Sequence, residues 1–512
     1  MSPDPSTLQR LLEQQLCAVA SRSGRNESPP QVHLVGAGGA GMTALSEILT
    51  DFGWMLSGSD LNVVSTDLTL SMSAAQPERI LKIHAGHDSA NLPTKSELVV
   101  FSPAIAADNP ELIAARQLKI PTVSYVEFLS ELINQSTAIC IAGTHGKTTT
   151  SAMTASILRE ADRFSSAVIG GEVIQYGRSG WGPIASPAAD NSDSLLVVEA
   201  CEYRRHFLSF RPQIAAILNI EADHFDCFQS IDATNDAFAE FAAQVHSDGT
   251  LIIRADSPLI ARLKDECQTR IETFLPVSNA SALRHNAAAQ AHWAVSSLRE
   301  ESERTVFDVV RRGRTFGTVE LSQPGRHNAE NALAAIAVAH AAGVSADAAC
   351  NAACRFQGVR RRFEEIATVS GVTLVDDYAH HPTAVRATLA AARKKFPGRR
   401  IVAAFQPHQV SRTQQLMGEF TRSFVDADEV LLVPIYAARE NTDVAGSTLQ
   451  ELASGINLAG SSVEVLSSLD QLRATLEDSA QSGDVWLTLG AGNINRIAHE
   501  FARTVQRNYT GR

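Results

Sequence analysis

The sequence has no CxxC pair among its seven cysteines, no apolar run near the ~18 residues of a membrane span, and no excess of basic charge. Each absence excludes something. Scattered cysteines suggest neither a disulfide framework nor a zinc site, and fit thiols in a reducing cytosol. Without a long apolar stretch nothing anchors or exports the chain, so the expected location is the cytoplasm. The 44 lysines and arginines face 56 acids, a net charge of −12, which argues against a nucleic-acid or membrane surface. An acidic protein that binds anions must do so locally, with loops and helix ends. The 512 residues, 44% of them hydrophobic, are enough for two to four domains with separate cores.

Such a loop stands at Gly143-Thr144-His145-Gly146-Lys147-Thr148-Thr149, after the apolar run Ile139-Cys140-Ile141-Ala142 and before a helix-favouring stretch. It reads as strand, phosphate loop, helix. Glycines let successive N–H groups turn toward phosphate oxygens, the helix presents its positive end, Lys147 adds a point charge, and the Thr148 hydroxyl suits Mg²⁺. Ile141 occupies the position of the first glycine in the common pattern, so this is a shortened variant. ATP is the leading ligand. Downstream, the apolar run 195–198 ends in Glu199, and the run 214–220 ends in Glu221-Ala222-Asp223-His224. Acid clusters after strands often cap helices, but two of them behind one phosphate loop point to metal ligands: Glu199 first, His224 for a second ion.

Gly36-Ala37-Gly38-Gly39-Ala40-Gly41 follows the strand-like Val32-His33-Leu34-Val35, and a second short strand ends at Asp60. This GxGxxG suits any pyrophosphate: NAD, with Asp60 on a ribose, or a UDP-sugar. His87 and Ser102, in polar loops beside the next strand, either line that nucleotide or simply make turns. Near the middle, His327, Asn328 and Asn331 open an alanine-rich helix, either as caps or as readers of an adenine edge. The stretch 176–193, rich in Gly, Ser, Pro and Ala, reads as a loop or hairpin insertion. From the basic turn Arg360-Arg361-Arg362 onward, strands alternate with helices, implying a second doubly wound sheet with polar residues at its strand ends. The expected divisions are 1–28 as a flexible tail, then 29–134, 135–353 and 354–512.

These motifs, in this order, resemble the Mur ligase family: the Gly36 and Lys147 loops, Glu199 with Glu202-Tyr203-Arg204-Arg205-His206-Phe207, Asp223-His224, Gly325-Arg326-His327-Asn328, Asp377-Tyr378-Ala379-His380-His381-Pro382 and Phe405-Gln406-Pro407-His408. Seven ordered motifs over nearly the whole chain make the resemblance specific. It implies an α/β protein of three domains: a Rossmann-like N-terminal domain for a UDP-sugar, a central P-loop ATPase-like parallel-sheet domain for ATP and Mg²⁺, and a Rossmann-like C-terminal domain for an amino acid. The members it most resembles add L-alanine to UDP-N-acetylmuramate through an acyl phosphate. By resemblance, Gly36, Gly38, Gly39, Ala40, Gly41, Asp60, His87 and Ser102 belong to the UDP-sugar. Gly143 to Thr149, with His327, Asn328, Asn331, Arg362 and Asp377, belong to ATP, while Thr148, Glu199 and His224 hold Mg²⁺. Tyr378, His380, His408 and Arg412 belong to the amino acid, and Lys147, Glu199, His224, His380 and Arg412 to the chemistry. Cys201, Pro103 and Ala379 depart from common family residues without removing any of these.

Other classes explain less. A dehydrogenase uses the first glycine loop but leaves Lys147, Glu199 and His224 without a role, and a non-catalytic nucleotide module leaves the C-terminal His and Arg cluster without one. Within the family, a ligase that joins a preformed peptide to the same UDP-sugar is the runner-up.

Overall fold

The structure is a computed structural model that describes residues 7–12, 29–61, 82–163, 165–182, 194–275, 291–438 and 440–510. Three sheets carry the fold. The first is wholly parallel: β1 (Gln31–Val35), β2 (Met55–Asp60), β3 (Lys82–Ala85), β4 (Leu98–Phe101) and β5 (Thr122–Ser124), in the order β3-β2-β1-β4-β5. Its order reverses beside β1, and there the Gly36 turn and the Ser102 turn meet, the usual ligand crevice of such sheets.

The central sheet runs β15-β14-β13-β12-β11-β10-β6-β9-β7-β8. Its parallel heart is β6 (Thr137–Ala142), β7 (Ser165–Val173), β9 (Leu195–Glu199), β10 (Ile214–Ile217), β11 (Thr250–Arg254) and β12 (Arg270–Leu275). In β6, β9 and β10 consecutive side chains are buried on both faces, which is why these strands read as unbroken apolar runs. Antiparallel pairings extend both edges: β8 (Arg178–Trp181) joins β7 on one side, while on the other β13 (Trp293–Glu300) pairs parallel with β12 and then antiparallel with β14 (Thr305–Arg311), which pairs antiparallel with β15 (Arg314–Leu321). The expected insertion is thus a hairpin through Trp181, and its remainder, 183–193, lies outside the described residues. The turn between β14 and β15 is Arg312-Gly313, both with positive φ, the two-residue geometry that matches strand twist.

The third sheet, β16-β17-β21-β18-β19-β20, is built from β16 (Glu364–Val369), β17 (Val372–Asp377), β18 (Ile401–Phe405), β19 (Glu429–Leu432), β20 (Ser462–Val465) and β21 (Val485–Leu489). All neighbours are parallel except the β16–β17 hairpin at the edge. The α/β, three-sheet expectation holds.

One expectation changes at the N-terminus. Residues 7–12, assigned to a flexible tail, form a helical turn whose Leu8, Leu11 and Leu12 are buried in the same apolar cluster as Leu34 and Phe128. Their i, i+3, i+4 spacing makes one apolar stripe, which the polar residues around it obscure. Residues 1–6 and 13–28 of that tail lie outside the described residues.

Candidate active site

The phosphate loop leaves β6 between β9 and β10, so both neighbouring strands deliver their ends to it. Gly143 and Gly146 have φ of +137° and +81°, and a Cβ on Gly146 would strike the Asn331 amide oxygen, so both glycines are required. The loop is clamped by Asn219 at the end of β10. Its side chain accepts from His145 N at 2.7 Å and donates to His145 O at 3.0 Å, while its carbonyl accepts from Thr144 N at 3.0 Å. The helix Lys147–Glu160 then starts directly at the loop and packs against Arg326–Ala341, whose alanines let the two backbones approach.

Thr148 and Glu199 face each other, with Thr148 Oγ1 donating to Glu199 Oε1 at 3.1 Å, and Glu199 is steadied by Gly170 N at 2.8 Å. A hydroxyl and a carboxylate oxygen at this spacing fit a hard divalent ion such as Mg²⁺; His224, the other expected ligand, is a softer nitrogen donor. His224 is held at φ +52°, a conformation that a residue with a side chain adopts at a cost and that clusters at functional sites. Its Nε2 lies 3.6 Å from Glu202 Oε1, and Glu202 in turn receives Lys147 Nζ at 2.8 and 3.1 Å. Burial alone would push the Glu202 carboxyl up, but Lys147 and His224 hold it below the usual range. Burial opposes the Lys147 charge as well, and Glu202 more than offsets it.

The C-terminal residues close over this loop. Arg362 Nη2 donates to Thr148 Oγ1 at 3.0 Å across the domain boundary, and its guanidinium lies 4.8 Å from the Tyr378 ring centre. Asp377 accepts from Phe363 N and Ala379 N, both at 2.8 Å, and fixes the turn that carries Arg362 and Tyr378. Burial raises its carboxyl to about 6 in spite of Arg362. Arg412 is 2% exposed, and its Nε bonds Asp223 Oδ1 at 2.7 Å, so an ion pair joins the β10 end to the C-terminal domain. Burial opposes the Asp223 charge, and Arg412 and then His224 hold that carboxyl well below its ordinary range.

Two histidines beside Arg412 differ in tautomer. His380 Nδ1 donates to Tyr378 O at 2.8 Å, leaving Nε2 with a lone pair, whereas His408 Nδ1 accepts from Arg412 Nη1 at 3.1 Å, leaving Nε2 with the proton. Burial and then Arg412 push both below the usual imidazole value, His408 to about 4, so both are neutral near pH 7. Their rings lie 5.8 Å apart.

Other expected residues gather less directly. Asn328 donates to Pro324 O at 2.8 Å, and Asn331 donates to Asn328 and accepts from Thr150, both at 3.3 Å. These amides tie the start of one helix to the phosphate helix, and burial lowers His327 to about 4. The first domain keeps its own group. Asp60 accepts from Gly38 N at 2.9 Å, Ser102 packs under Gly36, and His87 Nδ1 meets Ser59 Oγ at 2.9 Å. Sequence reasoning passed over Asn219, Glu202 and the fully buried Glu111, which binds His33, Ser59 and Asn91 behind the His87 loop. Glu202 stands three residues after Glu199 in the quoted motif, beyond the end of β9.

Together, fold and site define a phosphate-loop α/β protein whose cleft is completed by a separate C-terminal domain. Residues 31–137 match "Mur ligase family, catalytic domain", residues 141–339 "Mur ligase middle domain", and residues 361–492 "Mur ligase, glutamate ligase domain". The chain is similar to the UDP-N-acetylmuramate–L-alanine ligase of Salinibacter ruber, 37% identical over 93% of this chain and 95% of the relative. It is 38% identical to that of Acidithiobacillus ferrooxidans over 92% of this chain and 97% of the relative. The fold matches the crystal structure of a UDP-N-acetylmuramate–alanine ligase from Thermotoga maritima with a TM-score of 0.73, at 24% identity, covering 93% and 99% of the two chains. A murein peptide ligase from Psychrobacter arcticus matches with a TM-score of 0.68 at 27% identity, covering 93% and 98%. The chain belongs to the Mur ligase family.

Proposed function

We propose that this protein joins L-alanine to the carboxylate of UDP-N-acetylmuramate while splitting ATP to ADP and phosphate, a step of peptidoglycan precursor synthesis in the cytoplasm. The observation that carries the reading is the meeting of the Lys147 loop and Glu199 with Arg362 and the Arg412 cluster of another domain, through bonds of 3.0 and 2.7 Å. Relatives 37–38% identical over most of their length bear that activity in their names. In this reading residues 29–134 take the UDP-sugar, 135–353 take ATP, and 354–512 take the amino acid.

A carboxylate does not condense with an amine as it stands, because oxide would have to leave. In the reaction the muramate carboxylate oxygen attacks the γ-phosphorus, the bond to the β-phosphate oxygen breaks, and ADP departs from an acyl phosphate. The alanine nitrogen then attacks the acyl carbon, phosphate leaves with the carbon–oxygen electron pair, and the nitrogen loses a proton. Lys147 and the loop amides balance charge on the transferring group, with Arg362 reaching in from the far domain. Thr148, Glu199 and His224 would hold Mg²⁺, which when bound withdraws charge from the phosphates. His380 Nε2, the free lone pair of a neutral imidazole, receives the amine proton. His408 Nε2 and Arg412 Nη2, left over from their internal bonds, face the alanine carboxylate. His327, Asn328 and Asn331 flank adenine, and the Gly36 loop with Asp60, His87 and Ser102 holds the uridine nucleotide.

The test is phosphate release with ATP, UDP-N-acetylmuramate and L-alanine supplied together, and again with each omitted. Release that needs all three supports the reading; release with L-alanine no better than without it sinks it. Faster turnover with a preformed peptide in place of L-alanine would support the runner-up, to which the likeness with the Psychrobacter arcticus murein peptide ligase lends weight. NAD at micromolar concentration should not displace the UDP-sugar.

A further inference from the structure

Glu202 has no part in the reaction as derived, yet it is a carboxylate 2% exposed at the centre of the cleft. An ammonium has three protons to donate. Those of Lys147 go to Gly143 O at 2.6 Å, to Thr144 O at 3.1 Å, and to the Glu202 carboxylate at 2.8 and 3.1 Å. The lysine is therefore satisfied within the protein, and a phosphate oxygen must displace one of these acceptors. The two carbonyls belong to the glycine turn that shapes the loop, so the carboxylate is the acceptor that can give way. As long as it does not, Lys147 and Glu202 sum to zero charge and offer a phosphate little attraction.

The same carboxylate also faces a metal candidate: Glu202 Oε1, which takes the longer of the two lysine bonds, lies 3.6 Å from His224 Nε2. A ligating histidine commonly turns its second nitrogen to a carboxylate, which fixes the ring and leaves the opposite nitrogen for the ion. A positive charge gained at the imidazole draws Glu202 toward His224 and off Lys147.

We propose that Glu202 is a positioning residue that makes nucleotide binding depend on the metal: it holds Lys147 within the phosphate loop and backs His224, so one side chain sets the lysine's availability to phosphate and the histidine's to the ion. This rests on reading the Lys147 loop as the ATP site. Because the coupling is an equilibrium property, it must act equally in both directions between ATP and the ion.

The test is calorimetric ATP binding without UDP-sugar or amino acid, once in EDTA and once in saturating Mg²⁺, for the wild type, Glu202→Gln and Glu202→Asp. In EDTA, Glu202→Gln should bind ATP about tenfold more tightly than the wild type, because its lysine is released from a charged partner. The gain in affinity on adding Mg²⁺ should shrink at least about fivefold. In turnover assays the same variant should show a lower KM for ATP together with a lower kcat, a split that a loss of folded protein does not produce. Glu202→Asp keeps the buried charge pair on a shorter stem. It remains available if Glu202→Gln does not fold, and should move both affinities in the same direction by a smaller factor. Variants that bind ATP as the wild type does in EDTA, with the full gain from Mg²⁺, overturn the proposal while leaving the ATP site standing. A wild type that binds ATP under neither condition overturns the ATP reading and the proposal with it.

Discussion

The first and second domains meet differently from the second and third. Leu34, Leu45 and Phe128 of the first share one apolar cluster with Ala138, Ala215 and Phe238 of the second, and β8 lies along the helix Ala40–Asp51 so closely that a Cβ on Gly180 would run into Ala44 O. The third domain buries most of its apolar residues in two clusters of its own, Val375 with Phe405 and Leu374 with Trp486; its first residues, Phe356 and Val359, join the central core, and Phe225 of the second domain packs against the Phe405 cluster. It meets the second mainly through polar pairs: Arg362 with Thr148, Arg412 with Asp223, and Thr383 with Glu221 at 2.7 Å. A shared core resists separation in proportion to its apolar area, whereas polar pairs can be exchanged for water at small net cost. The third domain is thus the part suited to open and close during turnover, and the cleft is built where closing completes it.

The largest expected effects lie on the polar side. Lys147→Ala should lower phosphate release by at least about a thousandfold, as expected for removing a charge that acts on the transferring phosphoryl group. It also takes from the buried Glu202 carboxylate its lysine partner and leaves it only His224, so the melting temperature should fall by several degrees. Adding Glu202→Gln should restore the melting temperature and not the activity. Near-normal turnover in folded Lys147→Ala would remove the loop from the chemistry. Glu199→Ala should likewise abolish nearly all activity, while His224→Ala should mainly raise the Mg²⁺ requirement. An Mg²⁺ titration that looks the same for His224→Ala and wild type would return that histidine to a structural role.

Next in size is Arg412→Ala. Read from sequence, it touches alanine alone; in the structure it is also the bridge to Asp223. The Michaelis constant for L-alanine should rise by one to two orders of magnitude, from roughly 1.5–3 kcal/mol of charged hydrogen bonding, with ATP and UDP-sugar affinities nearly unchanged. The lost bridge should lower kcat as well, and solution scattering should show a larger mean radius. Phe128→Ala, in the core shared by the first two domains, should instead cost about 3–5 kcal/mol of stability with no change in radius. Equal changes in radius for both variants would erase the distinction between the two interfaces.

Much of this was legible in the sequence, for a physical reason. Buried parallel strands are written as apolar runs, and ligand candidates follow their carboxyl ends, so β6, β9, β10, β17 and β18 pointed to Lys147, Glu199, His224, His380 and His408 as site candidates. The edges were less legible. The β13–β14–β15 meander alternates in burial and turns on Arg312-Gly313, a pair with far less turn signal than Asn-Gly. The helical turn at 7–12 hides three leucines among polar neighbours. Hardest were residues that act through others. Nothing in the letters Glu202 or Asn219 says that one holds a lysine and the other a loop, because those bonds join residues 55 and 74 positions apart.

The smallest expected effect on activity belongs to the shared interface, where Glu47 meets β8. Its Oε2 accepts from both Ser179 N at 2.8 Å and Gly180 N at 2.7 Å, and the residue is 6% exposed. Burial raises the carboxyl from 4.5 to about 7, against the pull of those two amides and of Arg178. A carboxyl raised in the folded state binds its proton more tightly there than when unfolded. Its contribution is therefore fully present below pH 4.5, declines as pH rises toward 7, and is lost above it. At 1.36 kcal/mol per unit, the rise from 4.5 to about 7 corresponds to about 3 kcal/mol. Glu47→Gln keeps one oxygen able to accept from both amides and has no proton to lose. Denaturant unfolding at a series of pH values should give the wild type a decline of that size relative to Glu47→Gln between pH 4.5 and 7.5, with turnover at a fixed pH little altered. Parallel curves would mean that the carboxylate stays solvated at this junction, and that the first two domains are less firmly joined than their common core implies.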